Sequence, residues 1–157
     1  MDATPTLSNT FEIAVNFALS EKSGDAGLPA DPVARVEVYR TRYWEPSGCP
    51  YLPAALACCH MDWAASHGVT EAIKGLQNAL RLEQTGVWSD WVEIEAAKHP
   101  EGVLVRLCLD RRVLWYNNLI RATPHLMVFH DDWMGHVRRL RQYIRWQFPF
   151  LSAELGR

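Results

Sequence analysis

A chain of 157 residues with 48% hydrophobic and 22% charged residues fits one domain that buries a core, which excludes a disordered or collagen-like chain. The formal net charge of −2 gives no overall field for nucleic acid or for an acidic surface. No apolar run approaches the roughly 18–20 residues of a bilayer span.

Residues 1–9 read as a flexible lead, and residues 10–157 as a single globular domain. The lead, MDATPTLSN, lacks the basic and apolar regions of a secretory signal. A cytoplasmic protein with reduced thiols is therefore expected.

Phe11, Ile13, Val15, Phe17 and Leu19 alternate with Glu12, Ala14, Asn16, Ala18 and Ser20. That period of two predicts a strand with one buried face. After the breaker-rich EKSGDAGLPADP, residues 33–44 (VARVEVYRTRYW) predict a second strand near a sheet edge. Pro53 and Gly68 bracket an Ala-rich helix, with Leu52, Leu56, Cys59 and Trp63 on one stripe. Thr70 caps a second helix whose inward face is Ile73, Leu76 and Leu80, with Gly86 as its stop.

Trp88, Val92 and Ile94 share a strand face. Val103, Val105, Leu107 and Leu109 alternate through another strand, and Asp110–Arg111 turns the chain into Val113–Tyr116. A helix is the alternative for that last segment. Leu126–Phe129 reads as one more short strand. Asp131 and Asp132 then open a helix that runs to about Phe148 and is ended by Pro149. The order ββ-αα-βββ(β)-α predicts an α+β domain: a mainly antiparallel sheet packed by two central helices and a C-terminal amphipathic helix.

Charge is divided along the chain, with −6 over residues 1–100 and +4 over residues 101–157. Trp133, Val137, Leu140 and Ile144 form the apolar stripe of the last helix. Arg138, Arg141 and Arg145 line one flank, and Asp132, His136, Arg139, Tyr143 and Trp146 form a polar–aromatic column on the other. The arginine flank suits carboxylate or phosphate recognition, or simply solvation. Arg138, Arg139, Arg141, Tyr143, Arg145 and Trp146 are the candidate contact surface, with Arg40 and Arg42 a weaker one.

His125, His130, Asp131, Asp132 and His136 crowd into twelve residues. Asp132 and His136, four apart on a helix, can reach one ion together. The His130–Asp131 doublet is similar to the metal-binding pair of HD-type phosphohydrolases, which are all-helical and draw further ligands from other helices. Helix capping explains the same aspartates structurally, and no metal is assigned. Cys58, Cys59 and His60 suggest a thiol nucleophile, but neighbours on a helix point about 100° apart, and cysteines in a buried helix are structural. Cys49 and Cys108 complete no zinc-ribbon spacing. Glycine-rich phosphate loops, GxSxG and HExxH are absent, and no cofactor is expected.

Seven tryptophans are an excess for this length and favour interfaces. Thirteen Arg against three Lys suggests a GC-rich bacterial or phage source. The expected function is a non-enzymatic protein-binding domain of the inhibitor, immunity or adaptor kind. Its partner is another protein, with an acidic surface favoured and nucleic acid and membrane disfavoured. The alternatives are a metal-dependent hydrolase or nuclease using His130, Asp131 and His136, and a structural subunit of a homo-oligomer.

Overall fold

The computed structural model describes residues 7–24 and 27–156, and it is helical throughout; no strand occurs among these residues. The α+β expectation, with its antiparallel sheet, is therefore overturned. Positions 1–6 of the lead lie outside the described residues, and the first helix begins at Leu7.

The first predicted strand is helix α1 (Leu7–Glu21). The alternation misled because Ala14 and Ala18, read as spacers, face the core. Phe11, Ala14, Val15 and Ala18 are all buried, at the i, i+3, i+4, i+7 spacing of a helix. The second predicted strand is helix α2 (Pro32–Tyr39), which passes into a π-helical turn over Arg40–Trp44. Its start is encoded in Asp31–Pro32. The Asp31 carboxylate accepts the Ala34 N–H at 2.9 Å, and Pro32 occupies a position whose N–H would have no partner.

Helix α3 (Ala54–His67) follows Pro53 as expected and is buried from Ala55 to Ala65. Its N-terminus is closed from elsewhere in the chain: Glu101 Oε1 accepts the N–H of Ala55 at 2.7 Å and of Leu56 at 3.3 Å. Gly68, at φ +98°, turns α3 directly into α4 (Val69–Ala79). Helix α4 starts at Gly68 rather than at a Thr70 cap, and it ends well before Gly86.

The expected strand around Val92 is the short helix α5 (Asp90–Ala96). The two further strands of the expected hairpin are one 22-residue helix, α6 (Glu101–Ala122), with no turn at Asp110–Arg111. Leu104, Val105, Cys108, Leu109, Arg112 and Tyr116 are its buried residues, a helical stripe that the local V-L-V-R-L-C-L run concealed. Residues 126–129, also expected as a strand, lie in a 3-10 turn over Pro124–Phe129. The last helix, α7 (His130–Gln147), is followed by a 3-10 turn and the short α8 (Ser152–Leu155).

Helix α3 is the axis of the molecule. Helices α1, α4 and α6 pack around it, and α7 closes the remaining side against α1, α3 and α6. An axis so placed is apolar on nearly every side, with His60 and Asp62 the buried polar exceptions, which is why α3 is rich in Ala and Cys. None of the helices is long and apolar enough to cross a membrane, among the described residues.

Candidate functional site

The ends of α1, α3 and α7 meet the middle of α6 around a cleft of about 310 Å³. Helix α1 ends in Glu21. Helix α3 contributes Ser66 and His67, α6 contributes Arg112 and Tyr116 one turn apart, and α7 contributes Asp132, His136 and Arg139 at i, i+4, i+7. Trp133 completes one wall. Its ring stacks on Tyr116 with centroids 4.6 Å apart and an interplanar angle of 16°, and Phe129 stacks on Trp133 with centroids 5.6 Å apart.

Beneath the cleft runs a chain of polar contacts that ties four helices together. Arg139 Nε donates to Glu21 Oε1 at 2.6 Å, and the same oxygen lies 3.5 Å from His136 Nδ1. His136 Nε2 reaches Asp62 Oδ2 at 2.8 Å, and Arg112 Nη1 donates to that oxygen at 2.5 Å. Arg112 Nε donates to the Tyr116 hydroxyl at 3.0 Å, which is 2.7 Å from His67 Nε2. Asp62 Oδ1 and Arg112 Nη2 have no partner among the described residues.

Burial alone would push the Asp62 carboxyl up, but Arg112 and His136 outweigh it and hold the group below its ordinary range. Burial likewise works against the charge on Arg112, and Asp62 and Tyr116 overcome it. His67 is pushed down to about 4, first by burial and then by the Arg112 charge, so at neutral pH it is uncharged. Burial raises the Tyr116 hydroxyl.

The residues singled out from sequence fall in three places. Arg139 and His136 enter the cleft. Arg141 is spent within the fold, donating to Leu155 O at 2.7 Å and to Asp110 at 3.2 Å, and Arg145 donates to Gly156 O. The Tyr143 hydroxyl donates to Ile13 O at 2.7 Å and the ring packs on Phe17, which fastens α7 to α1. Arg138 and Trp146 are exposed, Trp146 at 76%. Arg40 lies over the Phe11 ring and pairs with Glu37 at 3.3 Å, and Arg42 is exposed.

The histidine cluster is divided by the fold. His125 is exposed, His130 lies 3.3 Å from Asp131, and His136 turns inward to Asp62. Among the described residues, no three His, Cys, Asp or Glu side chains are arranged to hold a metal ion. All four cysteines are buried. Burial lifts Cys49 and Cys59 to about 12, and it lifts Cys58 and Cys108 as well, so these thiols are poor nucleophiles. His60 is buried too; its Nε2–H donates to Ser47 O at 2.8 Å, and burial lowers it to about 4.

Sequence reasoning passed over Glu21, Asp62, Arg112 and Tyr116. Two signals pointed to them. Asp62 is a lone charge inside an Ala- and Cys-rich helix, and Arg112 and Tyr116 sit one turn apart on an apolar stripe. Charges placed where only apolar residues belong imply partners. Glu21 offered no comparable signal.

No protein-family model matches the chain, and no curated protein does. Among solved structures, the chain is similar to that described as the structure of Brucella abortus SagA, with a TM-score of 0.65 and 22% identity. The match covers 80% of this chain and 75% of that one. The likeness is one of fold.

Proposed function

We propose that the cleft hydrolyses a glycosidic bond, with Glu21 and Asp132 as its pair of carboxylates. The observation that carries this reading is their placement: two carboxylates from different helices open onto one cleft beside a stack of aromatic rings. Glycoside hydrolysis needs such a pair, one to protonate the departing oxygen and one to assist from the other side of the sugar ring. Glu21 has a side chain only 15% exposed and is held in place by Arg139 at the wall of the cleft. Asp132 is exposed and has access to the water that completes the reaction. Trp133 gives the cleft an apolar wall, and Ser66 and Arg139 offer hydroxyl partners.

The test is release of reducing ends from a panel of β- and α-linked glucans, an N-acetylglucosamine polymer and bacterial wall glycan. The wall glycan is included because the likeness in fold is to a bacterial protein. Glu21→Gln and Asp132→Asn should each lower the rate on the cleaved polymer by about 10²–10⁴, the usual worth of a proton-transfer group. No cleavage of any polymer, or parental rates in both variants, would overturn the reading.

A second reading, recognition of a protein partner, is favoured by the face around α7 and the turn after it. Trp146 and Phe150 are 76% and 70% exposed there, and Arg138 is exposed about two turns earlier on α7. Aromatic and arginine side chains are the usual anchors of protein contacts. Arg138→Glu combined with Trp146→Ala should abolish capture of a partner while leaving hydrolysis unchanged. Unaltered capture would exclude this face.

A further inference from the structure

We propose that two copies of this chain pair about a two-fold axis beside the loop that joins α4 to α5, the acidic aromatic surface of each seated on the outer stripe of α6 of the other. Helix α5 has only seven residues and persists through its packing. It buries Val92 and Ala96, yet Trp91 (65% exposed) and Ile94 face outward, and Val87 before it is exposed as well. Folding gives no reason to gather a tryptophan and two aliphatic side chains in water over residues 87–94, whereas a contact that covers them does. Beside Val87 and Trp91 lies a groove of about 480 Å³ whose other walls include Leu82 and Trp88. Its surroundings are acidic. Glu83, Asp90 and Glu93 are exposed and stand in no ion pair among the described residues. Lys98, just after α5, is engaged by Glu95 at 2.7 Å, and Arg81 can offset only one of the three free carboxylates.

The complementary surface lies on the other side of the same loop. Arg111, Leu114, Asn118 and Arg121 follow one another along α6 at i, i+3, i+7 and i+10, an exposed stripe on one helix face. Neither arginine stands in an ion pair among the described residues, and Leu114 between them is 46% exposed. The carboxylates nearest in place are already matched, Asp110 by Arg141 at 3.2 Å and Glu71 by Lys74 at 3.9 Å. Gln84 shares a cavity with Arg111 and Leu114, whereas Glu83 and Thr85 line the groove with Trp91. The loop therefore separates two adjoining surfaces of opposite charge. An isologous contact uses such an arrangement, because residue i of one copy meets j of the other and j meets i. The second copy's Leu114 enters the groove beside Trp91, and its Arg111 and Arg121 meet the Glu83, Asp90 and Glu93 carboxylates. The two-fold makes each contact twice, giving an apolar centre with a charged rim, the usual anatomy of a protein interface. Nothing in this pairing depends on the Glu21 cleft or on the α7 face around Trp146.

The experiment is sedimentation equilibrium of the full chain from about 1 µM to about 100 µM. The parent should reach twice the chain mass at the upper end and stop there. Arg111→Glu with Arg121→Glu makes both surfaces acidic, and Glu83→Arg with Asp90→Arg makes both basic. Each double variant alone should have its dissociation constant raised about tenfold or more. An equimolar mixture of the two should recover the mass of two chains, because every unlike pair restores both contacts. A variant that had merely lost stability would not be rescued in this way. A parent that stays monomeric throughout overturns the pairing, and so does a mixture that stays monomeric. A mass that climbs past two chains with concentration overturns the two-fold, since it marks an open head-to-tail contact. Far-UV circular dichroism checks that the variants fold. If either does not, Trp91→Ser decides by the same measurement: it should dissociate the dimer, and association as tight as the parent's overturns the proposal.

Discussion

Asp62 and Arg112 form an ion pair at 2.5 Å in which both side chains are essentially buried, 2% and 1% exposed. The pair joins α3 to α6 directly beneath the cleft, and through His136 it extends to Glu21 on α1. Removing one member of such a pair strands a charge in the core. Arg112→Met or Asp62→Leu alone should therefore cost about 3–5 kcal/mol in urea unfolding. The double variant should lose much less than the two costs combined, because an apolar pair of similar volume needs no hydration. Strict additivity would show that the two groups are not energetically coupled.

Acidification should destabilise the protein in two stages. His60 has its pKa lowered from 6.5 to about 4 by burial, so the unfolded chain binds a proton that the folded chain refuses. Its contribution is complete above pH 6.5 and is lost as the pH falls toward 4; for this fully enclosed ring it is roughly 3 kcal/mol. His67, also lowered to about 4, adds a loss over the same window. Asp62, held below its ordinary value of 3.8, contributes stability that is retained above that pH and disappears below it. Urea midpoints measured from pH 7.5 to 4 should fall most steeply between 6.5 and 4. His60→Gln, which keeps a donor for Ser47 O, should shrink that fall. A midpoint flat from pH 7 to 4.5 would contradict this account.

The two kinds of element differed in how far the sequence exposed them. Helices α3 and α7 were legible because their signals are local: Pro53 and Gly68 bracket the one, and Asp131, Asp132 and Pro149 the other. Helices α1, α2 and α6 were read as strands because their β-branched and aromatic residues imitate a period of two over short windows. At Phe11–Leu19, alternation and helical spacing share Phe11 and Val15, and only the burial of Ala14 and Ala18 separates the two. Asp31–Pro32, a capping pair, was taken for a breaker, although the same residues serve either purpose. Of the site, His136, Arg139 and the Asp132 column were visible on one helix. Their partners Glu21 and Asp62 lie 115 and 74 residues from His136 along the chain, a pairing that no periodicity within one helix reveals.

Glu101 tests how α6 supports α3. Its Oε1 accepts the N–H groups of Ala55 and Leu56 in the first turn of α3, and burial raises its pKa despite those two bonds. The acceptor matters more here than the charge. Glu101→Ala should cost about 0.5–2 kcal/mol, the range for a lost helix cap. Glu101→Gln, which keeps an amide oxygen for the same donors and has no charge to desolvate, should cost distinctly less. Equal losses in thermal unfolding would indicate that the carboxylate charge, acting on the α3 dipole, is what stabilises.

Gly75 shows how two opposing effects of known size decide a substitution. It sits within α4, where alanine would ordinarily gain about 1 kcal/mol in helix propensity. A Cβ at this position would stand 2.4 Å from Trp63 Cη2 and 2.5 Å from Cζ3, so the indole must move. Trp63 cannot move freely, because it is 3% exposed and packs with the buried Ala64 and Ala72. Overpacking at such a site costs about 1–3 kcal/mol, more than the propensity gained. Gly75→Ala should therefore lower the thermal midpoint and shift the indole resonance of Trp63. A raised midpoint would mean that the indole yields without cost, and that the α3–α4 contact is looser than the close seat of Trp63 on Gly75 implies.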